Sequence, residues 1–187
     1  IRIDRELPSK TPTMASAPTK STMAVRVLLV EDAASIRTML QRQLRRFGYA
    51  VDAACDGREG LDKWLCAAQG GSGTAYHAVV TDMTMPRMNG DEMVRQIHAA
   101  CISSTVDSAV ADGSAASGLS ETGGRPVVAL ALPLLIGVTG NVLPEDVEHF
   151  KHSGARFVLA KPASGRDLHN ALASSPLLLA IQQGDVP

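Results

Sequence analysis

Four places in the chain set reactive polar side chains directly behind short apolar runs. Glu31-Asp32 follow the run 25–30, Asp82 comes just after 78–80, Thr139-Gly140-Asn141 follow 134–138, and Lys161-Pro162 come after 157–159 and Ala160. If these runs are neighbouring parallel strands, all four groups meet at one rim. Carboxylates crowded together raise the cost of ionising one another, so Glu31, Asp32 and Asp82 in one site call for a cation. Hard oxygen donors with room for water and phosphate suit Mg²⁺. The charges balance: three carboxylates give −3, Lys161 gives +1 and the metal +2, a sum of zero. An aspartyl phosphate at Asp82 would bring that sum to about −1, still tolerable beside a metal and a lysine.

The elements that must position these groups read out in order. Residues 25–30 are an almost unbroken aliphatic and β-branched run of strand length, as expected of a strand covered on both faces. Ile36, Leu40, Leu44 and Phe47 then recur at helical spacing up to Gly48. Residues 49–54 form a second strand, and the D-x-x-E signal from Asp56 to Glu59 caps a helix carrying Leu61, Trp64 and Leu65. A third strand, 78–80, leads to Asp82, and Asn89-Gly90-Asp91-Glu92 open a helix with Met93, Ile97 and Cys101 inward. Residues 134–138 are the fourth strand, Pro144 opens the fourth helix, 157–159 are the fifth strand and 167–173 the fifth helix. Trp64, Met39 and Met93 are expected in the core. Five alternations of strand and helix predict an α/β protein, a doubly wound parallel five-stranded sheet with helices on both faces. In such sheets ligands sit beyond the carboxyl ends of the strands.

Three stretches fall outside this scheme. Residues 1–24 contain Pro8, Pro12 and Pro18 among Ser, Thr and Lys with no apolar period, the composition of a flexible linker. Residues 103–126 hold few large apolar side chains and read as an inserted flexible loop, and 176–187 read as a C-terminal tail. The first residue is Ile1 rather than Met, which suggests a segment of a longer polypeptide. No basic helix follows the fifth strand, so an output function is expected elsewhere.

Composition removes several classes. With 187 residues, 45% of them apolar, the chain can bury a core, and a net charge of −1 lacks the basic footprint of a nucleic-acid binder. Aromatic residues are 3% of the chain, too few for base-stacking platforms, and no apolar stretch is long enough for a membrane-spanning helix. Direct contact with nucleic acid or membrane is therefore not expected. Cys55, Cys66 and Cys101 are odd in number and lack C-x-x-C spacing, which fits a reducing, cytoplasmic setting. His149 and His152, three apart, read as an exposed helix pair rather than a metal site. Gly71-Ser72-Gly73 lacks the G-K-[ST] ending of a phosphate loop.

Taken together, the acidic pair, the segment Asp82-Met83-Thr84-Met85-Pro86-Arg87-Met88-Asn89-Gly90, the Thr139-Gly140-Asn141 corner and Lys161-Pro162 resemble the receiver domain of two-component response regulators over about 25–175. The Thr-Gly-Asn and Lys-Pro segments look most like receivers attached to hybrid histidine kinases. The resemblance implies a flavodoxin-like strand order 2-1-3-4-5. It implies that Asp82 accepts a phosphoryl group from a histidine kinase or histidine phosphotransfer protein. Asp32, Asp82 and the Met83 carbonyl would ligate Mg²⁺, with Glu31 orienting a metal-bound water. Lys161 would pair with the phosphoryl oxygens, Thr139 would move to hydrogen-bond them, and the Lys161-Pro162 peptide would be cis. Chemistry beyond self-phosphorylation and self-dephosphorylation is not implied. The output domain is unknown.

Two departures and two rivals bear on this reading. Many receivers carry an aromatic residue three positions before the lysine, and here that position is Val158, with Phe157 one place earlier. The insertion 103–126 is also unusual for the family. A Mg²⁺-dependent phosphatase with an Asp nucleophile would carry a second acid two residues on, where this chain has Thr84. A receiver-like interaction platform that takes no phosphate is the other alternative, although its key side chains would then have no use.

Overall fold

A computed structural model describes residues 24–70, 75–110, 130–141 and 143–183, and of 105–110 the backbone alone. Strands β1 (Arg26–Val30), β2 (Ala50–Ala54), β3 (Ala78–Asp82), β4 (Leu134–Thr139) and β5 (Phe157–Ala160) form one sheet. Its order is β2-β1-β3-β4-β5 and every pairing is parallel. Helices α1 (Ala34–Arg46), α2 (Gly57–Gln69), α3 (Gly90–Val110) and α4 (Pro144–His152) connect successive strands, and α5 (Gly165–Ala173) and α6 (Pro176–Gln183) follow β5. The expected doubly wound order is thus present. The strand order reverses between β1 and β3, so the crevice at their carboxyl ends is where such a fold offers a site.

Strand alternation builds two cores. Val27 and Leu29 of β1, Ala78 and Val80 of β3, and Ile136 and Val138 of β4 pack with Leu40 and Leu44 of α1 and Leu168 and Leu172 of α5. Leu28, Val30, Val79 and Leu135 point the other way, to Trp64 of α2, Met93 and Ile97 of α3 and Phe150 of α4. A residue period of two therefore feeds both layers, and strands buried on both faces leave no polar alternation in the sequence. Trp64 and Met93 are buried as expected, but Met39 is not: it is 45% exposed. Each helical residue advances by about 100°, which swings Met39 off the line that Leu40 and Leu44 present to the sheet. Ile36, in the first turn beside the rim, is 37% exposed.

Two segment assignments change. The expected loop 103–126 starts inside a helix, because α3 continues to Val110. Ser103 Oγ donates to Ala99 O at 3.0 Å and Ser104 Oγ to Cys101 O at 2.8 Å, so these small polar residues bond back onto the helix instead of leaving it. Ser104 Oγ also accepts the Leu130 N–H at 3.0 Å, tying the approach to β4 to α3. The rest of that stretch, like residues 1–23 of the expected linker 1–24, lies outside the described residues. The expected tail is for the most part α6: Pro176 occupies its first position and Leu178 and Ile181, three apart, join the α1/α5 core. Residues 184–187 lie outside the described residues.

The cap of α2 forms as the sequence indicates. Asp56 Oδ1 accepts the Glu59 N–H at 3.0 Å, and Glu59 Oε2 accepts the Cys55 N–H at 2.8 Å. Hydrogen bonding from the Cys55 thiol, then from Lys63, and from the Cys55 backbone lowers the Glu59 carboxyl from 4.5 to about 2. A depressed folded value contributes stability that is complete above the unfolded value and is lost as pH falls through the folded one. Glu59→Gln should therefore lower the melting temperature near neutral pH, and the gap to wild type should close between about 4.5 and about 2. Thermal scans across that range check it; a gap independent of pH would show that the carboxylate's charge is not what stabilises the cap.

Candidate functional site

Parallel pairing carries the polar residues of four strand ends to the same rim. Val30 pairs with Thr81, Asp82 with Val138 and Thr139 with Ala160, which sets Glu31, Asp82, Thr139 and Lys161 at neighbouring positions. Glu31 is 3% exposed and Asp82 6%, whereas Asp32 is exposed. Carboxylate oxygens of Glu31, Asp32 and Asp82 all lie within 4.8 Å of one another. Lys161 Nζ donates to Asp82 Oδ2 at 2.5 Å and lies 3.4 Å from Glu31 Oε2. The lysine is itself held, because its N–H donates to Thr139 O at 2.7 Å, and the Lys161-Pro162 peptide is cis as expected.

The electrostatics follow from that packing. Burial raises the Glu31 carboxyl above its usual range and the Asp82 charge adds to the effect, while Lys161 works against both. For Lys161, burial acts downward, but the hydrogen bond to Asp82 and the charges of Asp82 and Glu31 outweigh it and raise the ammonium. Three carboxylates against one ammonium leave a formal charge of −2 in this cluster. Asp32 has no hydrogen bond or ion pair on its carboxylate among the described residues, so it is the side chain free to take a ligand. An unpaired exposed carboxylate beside buried ones, all hard oxygen donors, is a donor set that fits a divalent cation such as Mg²⁺.

Two of the sequence-derived residues are placed less directly. The Thr139 hydroxyl, 2% exposed as a residue, donates to Asn141 O at 2.9 Å and accepts the Asn141 N–H at 3.1 Å, so it closes its own turn. The Met83 carbonyl accepts the Gly90 N–H at 2.9 Å, which leaves one lone pair for a metal, and the Met83 N–H donates to Val138 O at 2.9 Å. Val158 packs against the α2/α3 core and Phe157 against the opposite one, so no ring stands on the Thr139 side at position 158.

Sequence reading missed the residues that brace the loops. Asp56, read only as a cap, is buried and forms an ion pair with Arg87, which stands at φ 64° in the loop after Asp82. The Gly57 N–H donates to Met88 O at 3.2 Å alongside it. Nothing in linear spacing joins Asp56 to a loop 31 residues away. Arg37, whose guanidinium donates to the backbone carbonyls of Glu31 and Asp32, was also missed. The second acidic grouping, Cys55, Asp56 and Glu59, is occupied by that cap and ion pair. His149 and His152 are exposed as expected, with His149 Nε2 at 3.1 Å from Asp91 Oδ2.

Residues 27–115 match the response regulator receiver domain family. Response regulator MprA of Mycolicibacterium vanbaalenii is 44% identical over 75 residues, which are 40% of this chain and 29% of the relative. The chain thus matches less than a third of that relative's length. Chemotaxis response regulator CheY4 of Vibrio cholerae is 26% identical in sequence, with a TM-score of 0.56 over 81% of this chain and 98% of that one. The fold is also shared, at 20% identity and a TM-score of 0.64 over 85% and 93% of the two chains, with the co-crystal structure of the Saccharomyces cerevisiae histidine phosphotransfer signalling protein Ypd1 and the receiver domain of its downstream response regulator Ssk1. Sheet order, rim residues and family match together establish that this chain carries a response regulator receiver domain of two-component signal transduction.

Proposed function

We propose that the chain is a phosphorelay receiver that accepts a phosphoryl group on Asp82 and changes conformation to regulate a partner or an output domain. The observation that carries this is the Asp82 carboxylate, nearly buried, bonded to Lys161 at 2.5 Å and adjacent to the unpaired Asp32. Its donor would be a phosphohistidine on a histidine kinase or a histidine phosphotransfer protein. An Asp82 oxygen forms the new bond to phosphorus, the P–N bond breaks, and its electron pair returns to the imidazole nitrogen. Asp32, Asp82 and the Met83 carbonyl would hold Mg²⁺ and Glu31 would orient a water on it. Bound there, the cation would supply charge neutralisation on the transferring oxygens. Lys161 shifts from Asp82 toward the phosphoryl oxygens, and the Thr139 hydroxyl leaves Asn141 to bond them. With Val158 offering no ring, the change runs through Thr139 and the segment into α4. This reading places the chain in the cytoplasm, and among the described residues no helix is long and apolar enough to cross a membrane.

The test is exposure of the purified chain to a small acyl phosphate, read by intact mass. One phosphoryl group should be gained with Mg²⁺ and none in excess chelator. Uptake that ignores the chelator would remove the metal from the reading. No uptake under any condition, together with intact partner binding, would favour the unphosphorylated interaction platform.

A further inference from the structure

Helix α1 begins with none of the usual devices. Its N-cap is Ala33, which makes no side-chain cap, and its first turn carries no acidic residue. Yet the turn that precedes it holds the two carboxylates that β1 contributes to the rim, and a loosely held turn would leave the exposed Asp32 free to swing away. The brace comes from inside the helix. Arg37 Nη1 donates to the Glu31 carbonyl at 2.6 Å and to the Asp32 carbonyl at 2.9 Å, so one nitrogen gathers both acidic residues by their backbones. Arg37 is half-buried, and its own N–H donates to Ala33 O at 2.9 Å within the helix. The other ties on this turn are longer: the Glu31 N–H to Ala54 O at 3.2 Å, the Ala33 N–H to Glu31 Oε1 at 3.3 Å, and the Lys161 ammonium 3.4 Å from Glu31 Oε2.

We infer that Arg37 is a positioning residue for the cation site: it fixes the backbone of the β1–α1 turn so that the Asp32 carboxylate stays beside Asp82. The inference rests on the Mg²⁺ reading proposed above and adds a residue to it. Arg37 bonds carbonyls, leaving the carboxylates for the metal, so it acts through Glu31 and Asp32. Its positive charge alone would work the other way, since a cation near the site repels another cation. Position and charge therefore predict opposite signs for its removal.

The experiment is Mg²⁺ titration of the full chain by calorimetry, with Arg37→Ala, Arg37→Gln and Arg37→Lys beside wild type and a melting curve for each. If Arg37 positions the turn, Arg37→Ala should bind Mg²⁺ about tenfold more weakly, as when other supports of metal ligands are removed. Arg37→Gln, which retains a donor without the charge, and Arg37→Lys should fall between. Tighter binding by the Ala and Gln variants would mean that the charge dominates and would overturn the inference. A lowered melting temperature with Mg²⁺ affinity unchanged would also overturn it, reducing Arg37 to a fold-stabilising residue. Should Arg37→Ala fail to fold, the order of wild type, Lys and Gln decides alone. Failure of wild type to bind Mg²⁺ is a separate outcome that removes the metal reading and this inference with it.

Discussion

Asp82→Asn should abolish phosphoryl uptake from an acyl phosphate, the largest functional effect expected of any single substitution in this chain. The change is nearly isosteric, but an amide has no ionised oxygen to attack phosphorus, so the step loses its nucleophile rather than its geometry. The variant should also bind Mg²⁺ at least about tenfold more weakly, because a charged oxygen ligand is lost. Folding should survive. Lys161 keeps Glu31 at 3.4 Å, and removing one of three crowded carboxylates relieves repulsion that raises Glu31. Intact mass, Mg²⁺ titration and a melting curve on the same sample separate these effects. Undiminished phosphorylation of the Asn variant would move the acceptor to another residue, with the exposed Asp32 the first to examine.

The strands and their rim were readable in the sequence for one physical reason. A parallel sheet covered on both faces makes its central strands nearly continuous apolar runs, and parallel pairing then delivers whatever follows each run to one edge. Glu31, Asp32, Asp82 and Lys161 could be assembled from that rule alone, and the structure brings them together. What the sequence hid depends on direction within a helix or on contacts between distant loops. Met39 is apolar and sits in an amphipathic helix, but one residue of offset from Leu40 turns it outward. Residues 176–187 read as a tail, and only packing selects Leu178 and Ile181 as an inward pair. Residues 103–110 lack large apolar side chains, yet the helix needs only its backbone bonds and a few serine back-bonds to continue. Arg37 offered a faint signal, a cation one turn beyond an acidic pair, but its partners are backbone carbonyls, which no residue pattern marks.

Gly90→Ala should be the most damaging small substitution in the fold, and it sets two effects against each other. Ala favours a helix over Gly by up to about 1 kcal/mol, and Gly90 opens α3, so propensity alone predicts a gain. Space predicts the reverse. A Cβ at Gly90 would stand 2.0 Å from Asp82 O, 2.8 Å from Thr81 Oγ1 and 3.0 Å from Asp82 C. The nearest obstacle is backbone, which cannot rotate aside, and it is the backbone of the proposed phosphoacceptor. Overpacking of this kind costs about 3 kcal/mol at its upper end, so the steric effect should win. Gly140→Ala is the control: nothing lies within 4 Å of its Cβ, and its stability should stay within about 0.5 kcal/mol of wild type. Denaturant melts compare the two. In whatever fraction of Gly90→Ala folds, the shifted Asp82 should also slow phosphoryl uptake, because a displacement of about 1 Å at a reacting group can cost about a hundredfold in rate. A Gly90→Ala protein as stable as wild type, with uptake intact, would show that α3 can slide away from β3 and that this close contact does not set the position of Asp82.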